Sequence, residues 1–200
     1  MQDFVSFFLL LVVITIFYVH LENKALNVIY VKSKLDNKEY LVRNLPDKQQ
    51  ACELLAQLNT KFKRMIQTLE ESLSKSNNYN SKQIDDIKRL KSNYNENYIS
   101  ESSPGNKHTS YSINKGEKIV FCLRSKDGKD TLVDINTITF VGIHELAHLM
   151  TKSIGHEPEF WENMKFLLNI AIDYSLYFKQ DFRNTPIEYC GTKITDSPII

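Results

Sequence analysis

The hydrophobic pattern divides the chain into unlike parts. Phe4 to Leu21 runs for 18 positions without Asp, Glu, Lys or Arg. As a helix it would rise about 27 Å, close to a bilayer core, so it is expected to be an uncleaved N-terminal transmembrane helix. It has no basic stretch before it and no small-residue cleavage pattern after it, unlike a signal peptide. Lys24, Lys32 and Lys34 follow it and no Lys or Arg precedes it. That asymmetry places the rest of the chain in the cytosol. The expected organisation is an anchor over residues 1–22 and a single domain over 23–200.

Alternation replaces the continuous run after residue 27. Val28 to Lys32 and Glu39 to Arg43 are rich in β-formers and flank the turn signal Asp36-Asn37, which predicts a hairpin. Asn44-Leu45-Pro46-Asp47 then opens a helix. Ala51, Leu54, Leu55, Leu58, Phe62, Met65, Ile66, Leu69 and Leu73 recur at steps of three and four. The period is that of an amphipathic core helix, and it is too short-lived for a coiled coil. Residues 74–106 are rich in Ser and Asn and read as loops around one short helix near Gln83 to Lys91, closed by the breaker Ser102-Ser103-Pro104-Gly105-Asn106. A second strand pair, Thr109 to Ile113 and Lys118 to Arg124, flanks Asn114-Lys115-Gly116. From Asn136 the pattern is helical again. Strands and helices in this order predict an α+β fold.

Composition narrows the function classes. Lys and Arg total 25 against 24 Asp and Glu, a formal net charge of +1, which gives no strong signal for nucleic acid. Cys52, Cys122 and Cys190 are odd in number and widely spaced, so they are expected to be reduced thiols, with Cys190 a buried inert one. The 17 asparagines include no Asn-x-Ser/Thr acceptor site, in keeping with a cytosolic domain.

The chemistry lies in VGIHELAHLMTKSIGHEPEF, residues 141–160. On a helix, His144 and His148 sit one turn apart on one face and can hold one Zn²⁺. Glu145 is next to the first histidine and can act as general base on a water that zinc acidifies. The fillers Val141, Ile143, Leu146, Ala147 and Leu149 suit a buried helix. A catalytic zinc takes three protein ligands, and His156 is the candidate third. It follows Gly155, where the helix is expected to have ended and the chain to reverse, and Glu157-Pro158 would open the next helix. Glu157, Glu159 and Glu162 are the alternatives. Tyr189, beside Cys190 and Gly191, is a candidate oxyanion stabiliser or else a core tyrosine.

The run HELAHLMTKSIGHEPEFW resembles the active-site region of the WLM and SprT-like zinc metallopeptidases. The hairpin YVKSKLDNKEYLVR, the strand FCLRSKDGK and the tail YCGTKITDSPI resemble WLM-like proteins of large DNA viruses. The resemblance implies a zincin-like fold, Zn²⁺ held by His144, His148 and His156, Glu145 as base, Phe160 and Trp161 as core packing, and protein or peptide substrates. The expected function is therefore a zinc-dependent metalloendopeptidase. The alternative is a membrane-anchored interaction or structural protein with a catalytically silent zinc site. Zincins commonly bind substrate as an added strand, so one of the two strands at 109–113 and 118–124 is expected to offer a free edge.

Overall fold

The computed structural model describes residues 2–75, 79–106 and 108–199; within the helices, the side chains of residues 2–4, 19–26 and 75 are outside the description. The first helix, α1, spans Gln2–Leu26. Strands β1 (Val28–Lys32) and β2 (Glu39–Arg43) form the predicted hairpin, with Val28 opposite Arg43 and Lys32 opposite Glu39. Helix α2 (Lys48–Lys75) follows, then α3 (Ser81–Asn93), β3 (Ile99–Glu101), β4 (Ser110–Ile113), β5 (Lys118–Phe121), α4 (Ile135–Met150), α5 (Pro158–Asp173), β6 (Ile187–Tyr189) and β7 (Thr192–Ile194).

Five strands make one sheet in the order β1-β2-β3-β5-β4. β2, β3 and β5 are mutually parallel neighbours, and the outer pairs are antiparallel. β4 is thus an edge strand while β5 is internal. β6 and β7 form a separate two-stranded hairpin. Its turn residues Cys190 (φ 51°) and Gly191 (φ 81°) both lie in the left-handed region that a two-residue hairpin turn requires.

α2 lies on the sheet because of its apolar stripe. Leu55, Leu58, Phe62, Met65 and Leu69 are all buried in one cluster with Ile119 and Phe121 of β5 and Ile143, Leu146 and Leu149 of α4. Burial of this contiguous apolar surface is what drives the layers together. α4 is consequently covered on most of its circumference. It meets α2 so closely at Gly142 that an added Cβ would lie 2.2 Å from Phe62 Cζ.

The expected loop-rich stretch over 74–106 is more ordered than its composition suggests. Asn80 and Gln83 form a reciprocal capping box at the start of α3. Polar residues that read as loop therefore act as helix caps. β3, with all three residues buried, supplies the middle of the sheet.

Two expectations are corrected. Among the described residues no helix is long and apolar enough to cross a membrane. Positions 4 and 19–21 of the expected span fall outside the described side chains. The transmembrane anchor is withdrawn, and with it the single-pass membrane localisation and cytosolic orientation that rested on its flanks. The expectation of three reduced thiols is likewise corrected: Cys122 and Cys190 form a disulfide across a sequence separation of 68. Spacing alone concealed it, because the β6–β7 hairpin folds back onto the end of β5. Cys52 is the free, buried cysteine, and burial pushes its thiol up to about 11.

Candidate metal centre

The site is built on the last two turns of α4. Asp134 caps the helix start, its carboxylate accepting from Asn136 N and Thr137 N at 2.9 Å each. The far end stops at Met150, and the carbonyls there and just beyond are met by three side chains, two from α3 and one from the β4–β5 turn. Asn93 Nδ2 donates to Leu149 O at 2.9 Å and Arg89 Nη1 to Met150 O at 2.7 Å. Lys115 Nζ, from the β4–β5 turn, donates to Thr151 O, Lys152 O and Ser153 O at 2.7, 2.6 and 3.0 Å. These bonds satisfy carbonyls that a helix end leaves open. They also fix where the chain goes next, through Gly155 (φ 83°) to His156.

His144, His148 and His156 are brought together. His144 Nε2 lies 3.2 Å from His148 Nε2 and 3.1 Å from His156 Nε2. Three nitrogens bound tetrahedrally to one zinc at about 2.0–2.1 Å would be about 3.3 Å apart, so the donor set fits that ion. Among the described residues no fourth His, Cys, Asp or Glu joins the cluster. Burial holds His144 down at about 3 and His148 at about 4, so both imidazoles are neutral and able to ligate. None of the three alternative acids joins the histidine cluster, and two have partners elsewhere. Glu159 accepts from Ser153 N and Oγ at 3.1 and 2.8 Å, Glu162 pairs with Lys82 at 3.6 Å, and Glu157 sits at the N-cap of α5.

Phe160 underlies the cluster. It is fully buried, and its ring centroid lies 4.8, 4.4 and 4.6 Å from those of His144, His148 and His156. Trp161 departs from the expected core packing. It is 44% exposed, with its ring 5.6 Å from that of His156. Adjacent positions on a helix point about 100° apart, so one residue of the aromatic pair turns inward and the other lines a cavity beside the histidines.

Glu145 is only 4% exposed. Burial pushes its carboxyl up to about 7, against hydrogen bonds from the Ser112 side chain and backbone. Ser112 belongs to edge strand β4, which lines the cleft of about 530 Å³ over the three histidines. Tyr189 is 2% exposed. Its hydroxyl donates to Cys122 O at 2.9 Å and lies 2.6 Å from Ser110 Oγ, on the wall of a second cavity that also includes Glu145 and His144. The structure thus places it in the wall between sheet and hairpin, in a cavity shared with Glu145 and His144.

Ser112, Lys115, Arg89 and Asn93 were not legible as site residues. Only Asn114-Lys115-Gly116 left a signal, and it was that of a turn.

A helix bearing two histidines and a glutamate, closed by a third histidine and set against a sheet edge, defines a candidate zinc-hydrolase centre. A model of the WLM domain matches residues 36–198, and the chain belongs to the WLM domain family. Uncharacterized protein R325 of Acanthamoeba polyphaga mimivirus is 33% identical over 189 residues, covering 94% of this chain and 92% of that protein. Uncharacterized protein 136R of Invertebrate iridescent virus 6 is 36% identical over 69 residues, 34% of this chain and 38% of that protein. The chain is a WLM-like protein with relatives in large DNA viruses. The crystal structure of Wss1 from Saccharomyces cerevisiae aligns at a TM-score of 0.35 and 20% identity over 39% of this chain and 60% of that one, too slight an overlap to carry an argument.

Proposed function

We propose that this protein is a zinc-dependent metalloendopeptidase, with His144, His148 and His156 as zinc ligands and Glu145 as general base. The carrying observation is the convergence of three imidazole nitrogens within 3.2 Å steps, with the buried Glu145 carboxylate opening onto the same cleft. Bound there, zinc supplies the Lewis acid that lowers the pKa of a water and polarises a peptide carbonyl. Glu145 takes a proton at its carboxylate as water adds to that carbonyl, then returns it to the departing amine. Ser112 holds that carboxylate in place. With three protein ligands, one position is left for water or substrate, as a hydrolytic site requires and a closed structural site does not provide.

The substrate reading follows from the sheet order. Among the described residues β4 has a neighbour on one side only, and it borders the cleft. An extended peptide adding antiparallel or parallel to β4 would satisfy the open edge and pass over the histidine cluster. Protein or peptide is therefore the substrate class. Tyr189 would serve as oxyanion stabiliser only by releasing the Cys122 carbonyl, so we give it the role of holding the β6–β7 hairpin.

The test is a paired measurement. Wild-type protein should bind one zinc and cleave an unfolded protein substrate, with loss of cleavage on chelation. Glu145→Gln should keep stoichiometric zinc and lose cleavage by at least a hundredfold, because an amide cannot take the proton yet leaves the imidazoles untouched. Cleavage at wild-type rate by Glu145→Gln would remove Glu145 from the mechanism.

A further inference from the structure

Beside the histidine cleft lies a second cavity, of about 320 Å³, that shares Thr109, Ser110, His144 and Glu145 with it. The rest of its lining is largely apolar: Phe140, Val141, Trp161, Met164, Ile194 and Pro198. Its two carboxylates are engaged. Glu145 is held by Ser112, and Asp196 accepts from Arg183 Nε and Nη2 at 2.7 and 3.3 Å.

Three elements build this cavity. α4 provides the floor and α5 one wall, through Trp161 and Met164. The β6–β7 hairpin and the strand end after it provide the other wall. That hairpin is fastened to the sheet by Tyr189, through Cys122 O and Ser110 Oγ, and by the Cys122–Cys190 disulfide. The cavity is therefore an open recess, walled on two sides and solvent-exposed at Trp161, Thr192, Thr195 and Asp196. A peptide lying along β4 would cross from the histidine cleft past Ser110 into its mouth, and side chains of an extended peptide alternate in direction.

We infer that this recess is a specificity pocket, accepting one large apolar side chain, aromatic or branched aliphatic, from a substrate residue adjoining the scissile bond. The inference rests on the peptidase reading and deepens it. Burying such a side chain removes apolar surface of both partners from water, whereas a Lys or Asp side chain would lose its hydration against Phe140, Val141 and Met164 without an unengaged partner. The pocket therefore selects by its lining, and it does so beside the base.

Trp161 is the chain's single tryptophan, so the recess carries its own reporter. Full-length Glu145→Gln protein, loaded with zinc, would be titrated with blocked extended hexapeptides differing at one central position: Phe, Leu, Ala, Lys or Asp. Phe and Leu peptides should shift the Trp161 emission and bind at least tenfold more tightly than Lys or Asp peptides. Ile194→Phe, which fills the recess, should reverse the order in favour of Ala. Thr192→Phe, at an exposed position of the lining, repeats the test without touching buried packing. Equal affinities across the series would overturn the inference, as would an unchanged order in both filled variants. Wild-type protein given the same peptides separates the two readings. Selective binding without any cleavage sinks the peptidase reading and keeps the pocket; cleavage indifferent to the varied side chain does the reverse.

Discussion

Gly142→Ala tests whether the packing behind α4 sets the metal centre. Two effects oppose each other. Alanine in place of glycine in a helix interior favours the helix by about 1 kcal/mol. Against that, the new Cβ would lie 2.2 Å from Phe62 Cζ, 2.9 Å from Phe62 Cε1 and 3.3 Å from Leu58 Cδ1. Carbon atoms in contact prefer about 3.5–4.0 Å, so ring and helix must separate by more than an ångström. Phe62 has little room to yield. It is fully buried, set edge-on to Tyr94 at 6.2 Å and tilted against Phe121 at 6.3 Å. Overpacking of this kind costs about 3 kcal/mol, so the net loss is about 2 kcal/mol. For a chain of this size that lowers the melting temperature by about 4–8 °C. The displaced helix carries His144 and His148, while His156 stays with the loop held by Lys115. Zinc affinity should therefore fall about tenfold or more, the scale seen when support around a ligand is disturbed. Thermal unfolding of the metal-free protein and a competition titration with a zinc chelator would measure both. A melting temperature that stays level or rises would show that helix propensity wins and that the contact with Phe62 is not limiting.

Other perturbations have equally definite outcomes. His156→Ala should weaken zinc binding by orders of magnitude, while Glu159→Ala keeps it; tight stoichiometric zinc in the first and loss in the second would reassign the third ligand. Lys115→Ala removes donors to three carbonyls, each charge-assisted bond being worth about 1.5–3 kcal/mol. It should weaken zinc binding at least tenfold and raise amide exchange over residues 151–156, and unchanged exchange there would refute the clamp. Reduction of Cys122–Cys190, or Cys190→Ser, opens a loop with a separation of 68 residues. The chain-entropy estimate is about 4 kcal/mol, which is about 10 °C in melting temperature for a chain of this size; an identical melt with and without reductant would show the bridge is not formed.

The parts of the fold that were legible are those in which one periodicity dominates. The β1–β2 hairpin, α2 and the start of α5 at Pro158 stood out because alternation, a long apolar stripe and a proline each leave a local mark. His144 and His148 were legible as a pair because a helix brings residues four apart to one face. What escaped was set by contacts distant in sequence. β3 is three residues long and buried, and nothing within Ile99–Glu101 announces a central strand. Trp161 resembles its neighbour Phe160 in kind but points the other way. Ser112 and Lys115 become site residues only because the β4–β5 turn meets the end of α4. The disulfide joins two cysteines whose separation looks meaningless until the hairpin folds back. The apolar run of α1 misled, since continuity over the sequence suggested a bilayer span that the described helix does not provide.

These long-range contacts share a direction, and it explains how adjacent residues of one helix divide the labour. Four positions apart on α4, His144 and His148 face the loop that returns through Gly155, where Lys115 holds the backbone. One position from His144, and so about 100° around the helix, Glu145 faces β4 instead, where Ser112 engages it. Two positions before His144, Gly142 faces α2 and lets the helix sink against Phe62. Ser112 and Lys115 are three residues apart on one edge strand and its turn. That strand therefore sets the base at one point and the third histidine's loop at another. The same strand has the free edge on which a peptide would pair. A shift of β4 would consequently move the base, the metal loop and the substrate register together. Glu159 of α5 gives the metal loop a second hold through Ser153, while β4 and its turn are the element that touches all three.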